Sequence, residues 1–179
     1  LIQESGCVFG TAWYQVEYSI DSMRSAAGEC RRLFGETIPS DVPGLLSITK
    51  KIPVGVIIGI APFNVPLALS SNKIDKAIAA GNSFILKPSE HTPISGLILA
   101  ETYEEAGLPP GVLNVLPGDG SIGNKLVQHP DVNMILFTGS TKTGKAIAQA
   151  AAKDLKKVHL EMGGKSPLIV LADADINYA

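Results

Sequence analysis

Two cysteines and three histidines in 179 residues leave little with which to build a metal centre or a disulfide framework. Cys7 and Cys30 lack the CxxC spacing of a redox or zinc site, and a secreted scaffold of this length would carry several more. His91, His129 and His159 have no acidic or sulfur neighbours at ligand spacing, so they read as structural or surface residues and no metal is expected. Long apolar runs are missing too: none approaches the roughly 20 residues of a membrane helix. The start Leu1-Ile2-Gln3-Glu4 lacks the basic region and apolar core of a secretory signal, so the expected location is the cytoplasm. An excess of charge is absent: 15 basic against 17 acidic residues give a formal charge of -2. Nothing electrostatic points to nucleic acid or an anionic membrane, and a small ligand is the partner left open.

What is present is apolar and punctuated. The apolar set makes up 45% of the chain, enough for one sizeable core. Its 18 glycines and 12 prolines fall singly at the ends of apolar runs, where they mark turns. Residues 12–34 repeat apolar positions at three- and four-residue intervals and predict an amphipathic helix. A turn-rich connector follows over 35–44, then a short strand over 45–51. From Pro53 strands and helices alternate. Strands are predicted at Val54–Ile60, Ser83–Leu86, Val112–Leu116, Met134–Phe137, Val158–Leu160 and Leu168–Leu171, with helices over 66–80, 93–106, 121–128 and 142–155. This pattern predicts an α/β fold, an open parallel sheet with helices on both faces, preceded by an N-terminal helix. Residues 1–44 are expected to form a helical segment and connector packing on a domain of residues 45–179. Ligands of such sheets sit beyond the carboxyl ends of the strands. The polar and glycine-rich clusters after each run, at 62–64, 87–90, 118–120, 138–140 and 161–164, are therefore expected to share one edge.

Two motifs invite a nucleotide reading by themselves. Gly118-Asp119-Gly120-Ser121-Ile122-Gly123 fits GxGxxG between a strand and a helix, yet the acidic residue expected about 20 positions on is missing. An ordinary glycine-rich loop and a ligand-contacting loop both stay open there. Gly139-Ser140-Thr141-Lys142-Thr143-Gly144-Lys145 fits a triphosphate-binding loop, but Ala146 stands where a magnesium-binding hydroxyl is required, which argues against a triphosphatase. A helix N-terminus suited to a phosphate survives either way.

Taken in order, Pro62-Phe63-Asn64, Lys87-Pro88-Ser89-Glu90, Phe137-Thr138-Gly139-Ser140 and Glu161-Met162-Gly163-Gly164-Lys165 resemble the signatures of the aldehyde dehydrogenase superfamily. The resemblance runs from about Glu29 onward, with Phe63 for a commoner tryptophan and Met162 for leucine. It implies a Rossmann-like cofactor domain and NAD(P)-dependent oxidation of an aldehyde through a cysteine thioester. Asn64 would be the amide that stabilises the oxyanion, and Glu161 a partly buried general base for hydrolysis, its basicity raised by desolvation. Lys87 and Glu90 would hold the adenosine ribose, and a carboxylate there favours NAD over NADP. Ser140 would meet the pyrophosphate; Gly120, Gly123 and Asn124 would face the adenine. Further cofactor contacts are expected from Ile60, Ala61, Pro62, Phe63, Ser89, Phe137, Thr138, Gly139, Thr143, Met162 and Gly163.

Plainer roles stand beside these: a helix cap for Asn64, a surface ion pair for Lys87 and Glu90, a solvated loop position for Glu161. Lys73 fits a place near the ribose or the reacting centre, or a solvated helix face. The family's nucleophilic cysteine lies beyond the Glu161 motif, so the catalytic domain is expected to be outside this segment and the segment inactive alone. The complete protein is expected to be a homo-oligomer acting on a small aldehyde. The competing readings are a non-catalytic nucleotide-binding module and an acyl-reducing relative; the presence of Glu161 argues against the latter.

Overall fold

A parallel five-stranded sheet organises the computed structural model, which describes residues 1–177. Its strands are β3 (Val56–Ile60), β4 (Ser83–Lys87), β5 (Leu113–Val115), β6 (Met134–Gly139) and β7 (Lys157–Met162), in the order β5-β4-β3-β6-β7. The central strand reads Val-Ile-Ile-Gly-Ile, an unbroken apolar run of the kind required when both faces of a parallel strand are covered. Between the strands run α3 (Pro66–Ala79), α4 (Ile94–Glu105), α5 (Gly120–Gln128) and α6 (Thr141–Ala152).

Strand alternation divides the core in two. Ile57, Phe84 and Leu86 meet Ile74 of α3 and Leu99 of α4 on one face. Ile58, Ile135 and Phe137 meet Val127 of α5 and Ile147 of α6 on the other. From β3 the chain proceeds outward to β4 and β5, and from β6 outward to β7, so the strand order reverses between the neighbours β3 and β6. Such a switch point opens a crevice at the carboxyl ends of the strands. Gly59, in the middle of β3, has a packing reason: a Cβ there would lie 2.3 Å from the Phe84 ring and 3.5 Å from Lys73 Cδ.

Ahead of the sheet stand a single turn, α1 (Ile2–Ser5), and a long helix, α2 (Phe9–Glu29), that packs along α3. Polar side chains fix this packing. The fully buried Gln15 accepts a hydrogen bond from Leu67 N in the first turn of α3 at 3.2 Å, and Asn72 Nδ2 donates to Tyr18 Oη at 2.9 Å. Between α3 and α4 the buried Asp75 accepts from Ser71 Oγ at 2.8 Å and from Tyr103 Oη at 2.5 Å. Burial first, and then the Asp75 bond, push the Tyr103 hydroxyl well above its ordinary range. Glu4 accepts from the first backbone N–H groups of α4, at Ile94 and Ser95.

Several bounds differ from the sequence reading. The helix expected over 12–34 begins at Phe9 and gives way after Glu29 to one 3-10 turn, Cys30–Arg32. Inside the presumed connector, β1 (Thr37–Ile38) pairs antiparallel with β2 (Ser47–Ile48), so this ribbon straddles the expected boundary at residue 44. The run Leu168–Leu171 is not a strand: its apolar residues suit one, but a strand exists only with a partner ladder, and here these side chains are exposed. Conversely, β6 and β7 outrun their apolar stretches, so Thr138, Gly139, Glu161 and Met162 belong to strands rather than to the loops beyond them.

Candidate functional site

At the carboxyl end of the sheet, α5 and α6 enclose a cavity of about 230 Å³ lined by Ile60, Lys87, Gly120, Gly123, Asn124, Val127, Thr143, Ala146, Ile147 and Ala150. Six of these are positions to which the sequence reading gave cofactor contacts. Val127, Ala146, Ile147 and Ala150 were not among them, although Ala146 and Ala150 stand one helical turn apart and so share a face. A Cβ at Gly123 would point at Ile60 Cδ1 and Lys87 Cδ, 3.9 and 4.0 Å away, so the glycine keeps this wall open. Polar groups cluster at the mouth. Lys87 Nζ lies 3.3 Å from Glu90 Oε2; the lysine side chain is 6% exposed and the carboxylate 47%, so this is no ordinary surface pair. Hydrogen bonding from its own backbone, and then from Lys87, holds the Glu90 carboxyl below the usual carboxylate range.

The N-termini of both helices carry side-chain caps. Asp119 accepts from Ser121 N at 2.9 Å and from Ser121 Oγ at 2.6 Å, bonds that hold its carboxyl low. Ser140 accepts from Thr143 N at 3.2 Å and shares a hydrogen bond with Thr143 Oγ1. The other anticipated contact residues do not line this cavity. Ala61 N donates to the Lys87 carbonyl at 3.1 Å, tying the Pro62-Phe63 turn to the Lys87-Pro88-Ser89 turn. Phe63 is exposed and meets the edge of His91, and Ser89 is buried, its Oγ accepting from His91 N. Phe137 is a core side chain, 4% exposed, packed against Gly139 and Gly144; it faces away from solvent because it points to the α6 side of β6. Met162 packs over Gly144 while remaining partly exposed, and Gly163 has open space where a side chain would stand.

The opposite face carries a second set of ionisable groups. Thr138 pairs across the ladder with Glu161, and Lys73 of α3 donates to Thr138 Oγ1 at 2.6 Å and to the Leu69 carbonyl at 3.3 Å. Desolvation lowers the Lys73 amine to about 8, partly offset by the negative charge of Glu161. Lys73 is thus not a freely solvated helix lysine, and it lies on the face of the sheet opposite the Lys87–Glu90 pair. Glu161 Oε1 lies 3.0 Å from His159 Nε2, and its side chain is 63% exposed, where the sequence reading expected partial burial. The reason is that β7 is an edge strand, packed by α6 on its other face. His159, set aside in the sequence as a surface residue, was detectable by its spacing: two positions before Glu161 on a strand means the same face.

Asn64 lies exposed in the bend between β3 and α3. It is not the cap of α3, whose N-cap position is Val65 without a side-chain hydrogen bond. Asn64, in the loop after β3, and Glu161, near the end of β7, thus both lie toward the carboxyl end of the sheet.

Comparison with known proteins gives a consistent set of likenesses. The model of the aldehyde dehydrogenase family matches residues 1–179. The vanillin dehydrogenase of an Amycolatopsis strain is 46% identical over 180 residues, covering 100% of this chain and 37% of that protein. Among solved structures, an NADP-dependent enzyme from E. coli superposes with a TM-score of 0.91 at 41% identity, covering 98% of this chain and 37% of its own. The NAD+ complex of an aldehyde dehydrogenase from Bacillus cereus gives 0.83 at 43% identity, covering 91% and 33%. The chain spans about a third of the length of the curated relatives it matches.

Proposed function

The chain belongs to the aldehyde dehydrogenase family, and from that premise we propose that its complete protein oxidises an aldehyde to a carboxylic acid with NAD or NADP, this segment supplying the cofactor cavity, an oxyanion amide and a general base. The observation that carries the proposal is the division of labour at the sheet's carboxyl end. A glycine-walled cavity with a buried lysine at its mouth lies on one face, and a carboxylate and a lowered lysine lie on the other.

The cavity fits one end of a dinucleotide rather than all of it. Sites for whole small ligands measure roughly 300–1,000 Å³, and this one holds about 230 Å³. Its slot between Gly123, Val127, Ala146 and Ile147 suits a flat base, and Lys87 with Glu90 suits ribose hydroxyls. The capped start of α6 offers backbone N–H groups and a positive helix end to a pyrophosphate. Bound there, a nicotinamide dinucleotide supplies the hydride acceptor. The exposed Glu90 carboxylate would repel a 2′-phosphate, so NAD is the favoured form; relatives described as an NAD+ complex and as an NADP-dependent enzyme leave both forms within the family's reach.

On the opposite face, the Asn64 amide donates to the oxygen that gains charge when a thiolate attacks the aldehyde carbon, a contribution of about 3 kcal/mol for a well-placed donor. Glu161 then takes a proton from the water that hydrolyses the thioester. The thiolate itself belongs to a cysteine outside this segment, since Cys7 and Cys30 precede the sheet.

The test is the complete protein assayed across small, semialdehyde and aromatic aldehydes with each cofactor, beside a Glu161→Gln variant. Turnover with NAD above NADP is expected, with the variant slowed by about 100- to 10,000-fold while still releasing one equivalent of reduced cofactor per site. Oxidation of no aldehyde with either cofactor, in a protein that binds dinucleotide, would move the reading to a non-catalytic nucleotide-binding module.

A further inference from the structure

Two residues apart on β7, His159 and Glu161 point to the same side of the sheet, and the imidazole Nε2 lies 3.0 Å from the carboxylate Oε1. Their cross-strand partners on β6 are Leu136 and Thr138, so no competing acid or base stands between them and the neighbouring strand. From α3, the helix packed on that side, come two cations. Lys73 spends its N–H groups on Thr138 Oγ1 and the Leu69 carbonyl, and Lys76 spends its own on Asn72 and Ser22. Neither makes an ion pair with Glu161 among the described residues, whereas the His159 ring lies within hydrogen-bonding distance of it. The imidazole also lines a cavity of about 340 Å³ with Asn72, Lys73, Met134 and Leu136, which gives it an outlet away from the carboxylate.

We propose that His159 is the proton acceptor that regenerates Glu161 after each hydrolysis, a role that rests on Glu161 being the general base. A carboxylate that has taken a proton from water must lose it before the next turnover. An imidazole is ordinarily a stronger base than a carboxylate, and the ring nitrogen lies within hydrogen-bonding distance to receive the proton. In that step the Glu161 O–H bond breaks and an N–H bond forms at His159 Nε2. An imidazolium beside a carboxylate results, and the ring returns the proton to solvent. No redox change is involved.

The test uses the complete enzyme with His159→Ala and Glu161→Gln variants. H159A is expected to form its first equivalent of reduced cofactor at the normal rate, then to turn over about tenfold more slowly, and to recover when free imidazole is added. E161Q is expected to be slow with or without imidazole. An NMR titration of the His159 ring supplies a readout independent of turnover: the ring should lose its proton at lower pH in E161Q than in the unaltered protein. Wild-type turnover in H159A, or no response to imidazole, overturns the role of His159 and leaves Glu161 as the base. Wild-type turnover in E161Q overturns the base itself. If H159A does not fold, the titration decides alone, and an unmoved ring titration counts against the pair.

Discussion

The two faces of the sheet solve different problems with the same strands. On the α5–α6 face, helices lie over the carboxyl ends of β3 and β6, and what remains between them is a narrow apolar slot with one buried cation. On the α3–α4 face, the helices cover β3, β4 and β5 and stop short of β7, where a lysine, a threonine, a carboxylate and an imidazole stand in a row. On the reading proposed above, a ligand on the first face would be held by shape and dispersion, and a reacting group on the second would meet protons and charge. Adjacent residues serve opposite faces: Phe137 fills the core beneath the slot, and Thr138, one position on, holds Lys73. A strand that alternates sides can serve both requirements at a spacing of one residue.

The strongest way to break this contrast is at Asn64. Replacing it with alanine should lower kcat in the complete enzyme by about 100- to 1,000-fold while dinucleotide affinity, measured by calorimetry, stays unchanged. A loss of cofactor binding instead would mean that the two faces do not act separately. A smaller effect is expected in the slot. Gly123→Val places methyl groups against Ile60 and Lys87. It should weaken dinucleotide binding by at least about tenfold, equivalent to 1.4 kcal/mol, with little change in Tm. Retained affinity would show that the slot is not the binding cavity.

The smallest effect concerns Lys73 and sharpens the description of the other face. Its amine titrates at about 8 when folded against an ordinary 10.5, so between those values the unfolded chain binds more protons than the folded one. Stability should therefore rise as pH climbs through that window, and the cost of burying the charged amine is fully present below it. Denaturant unfolding at intervals from pH 7.5 to 10.5, compared with Lys73→Met, isolates this slope from the other groups that titrate there. The variant should lack it, and identical slopes would place Lys73 in solvent.

Much of the fold was legible because parallel strands covered on both sides must read as short apolar runs, and glycine and proline marked where those runs ended. The ends were misjudged at β6 and β7, since Thr138-Gly139 and Glu161-Met162 are not apolar and yet continue the ladder. Leu168–Leu171 erred the other way, because composition alone cannot supply a pairing partner. For the site, Lys87, Gly123 and Asn124 were recognisable from motif position. Val127, Ala146, Ile147 and Ala150 were not, because an apolar helix residue facing a cavity looks the same in sequence as one facing a core. The bond from Lys73 to Thr138 spans 65 positions and depends on the crossover from β3 to β6, which no local pattern encodes.

The bare position at Gly59 links distant parts of the molecule's future variation. Any side chain there would collide with the ring of Phe84 and come into contact with the stem of Lys73. A larger residue at 59 is thus acceptable only after Phe84 has shrunk, and the order of those two changes matters. Drift in the hidden middle of the sheet is constrained by the chemistry at its rim, with Lys73 as the shared neighbour.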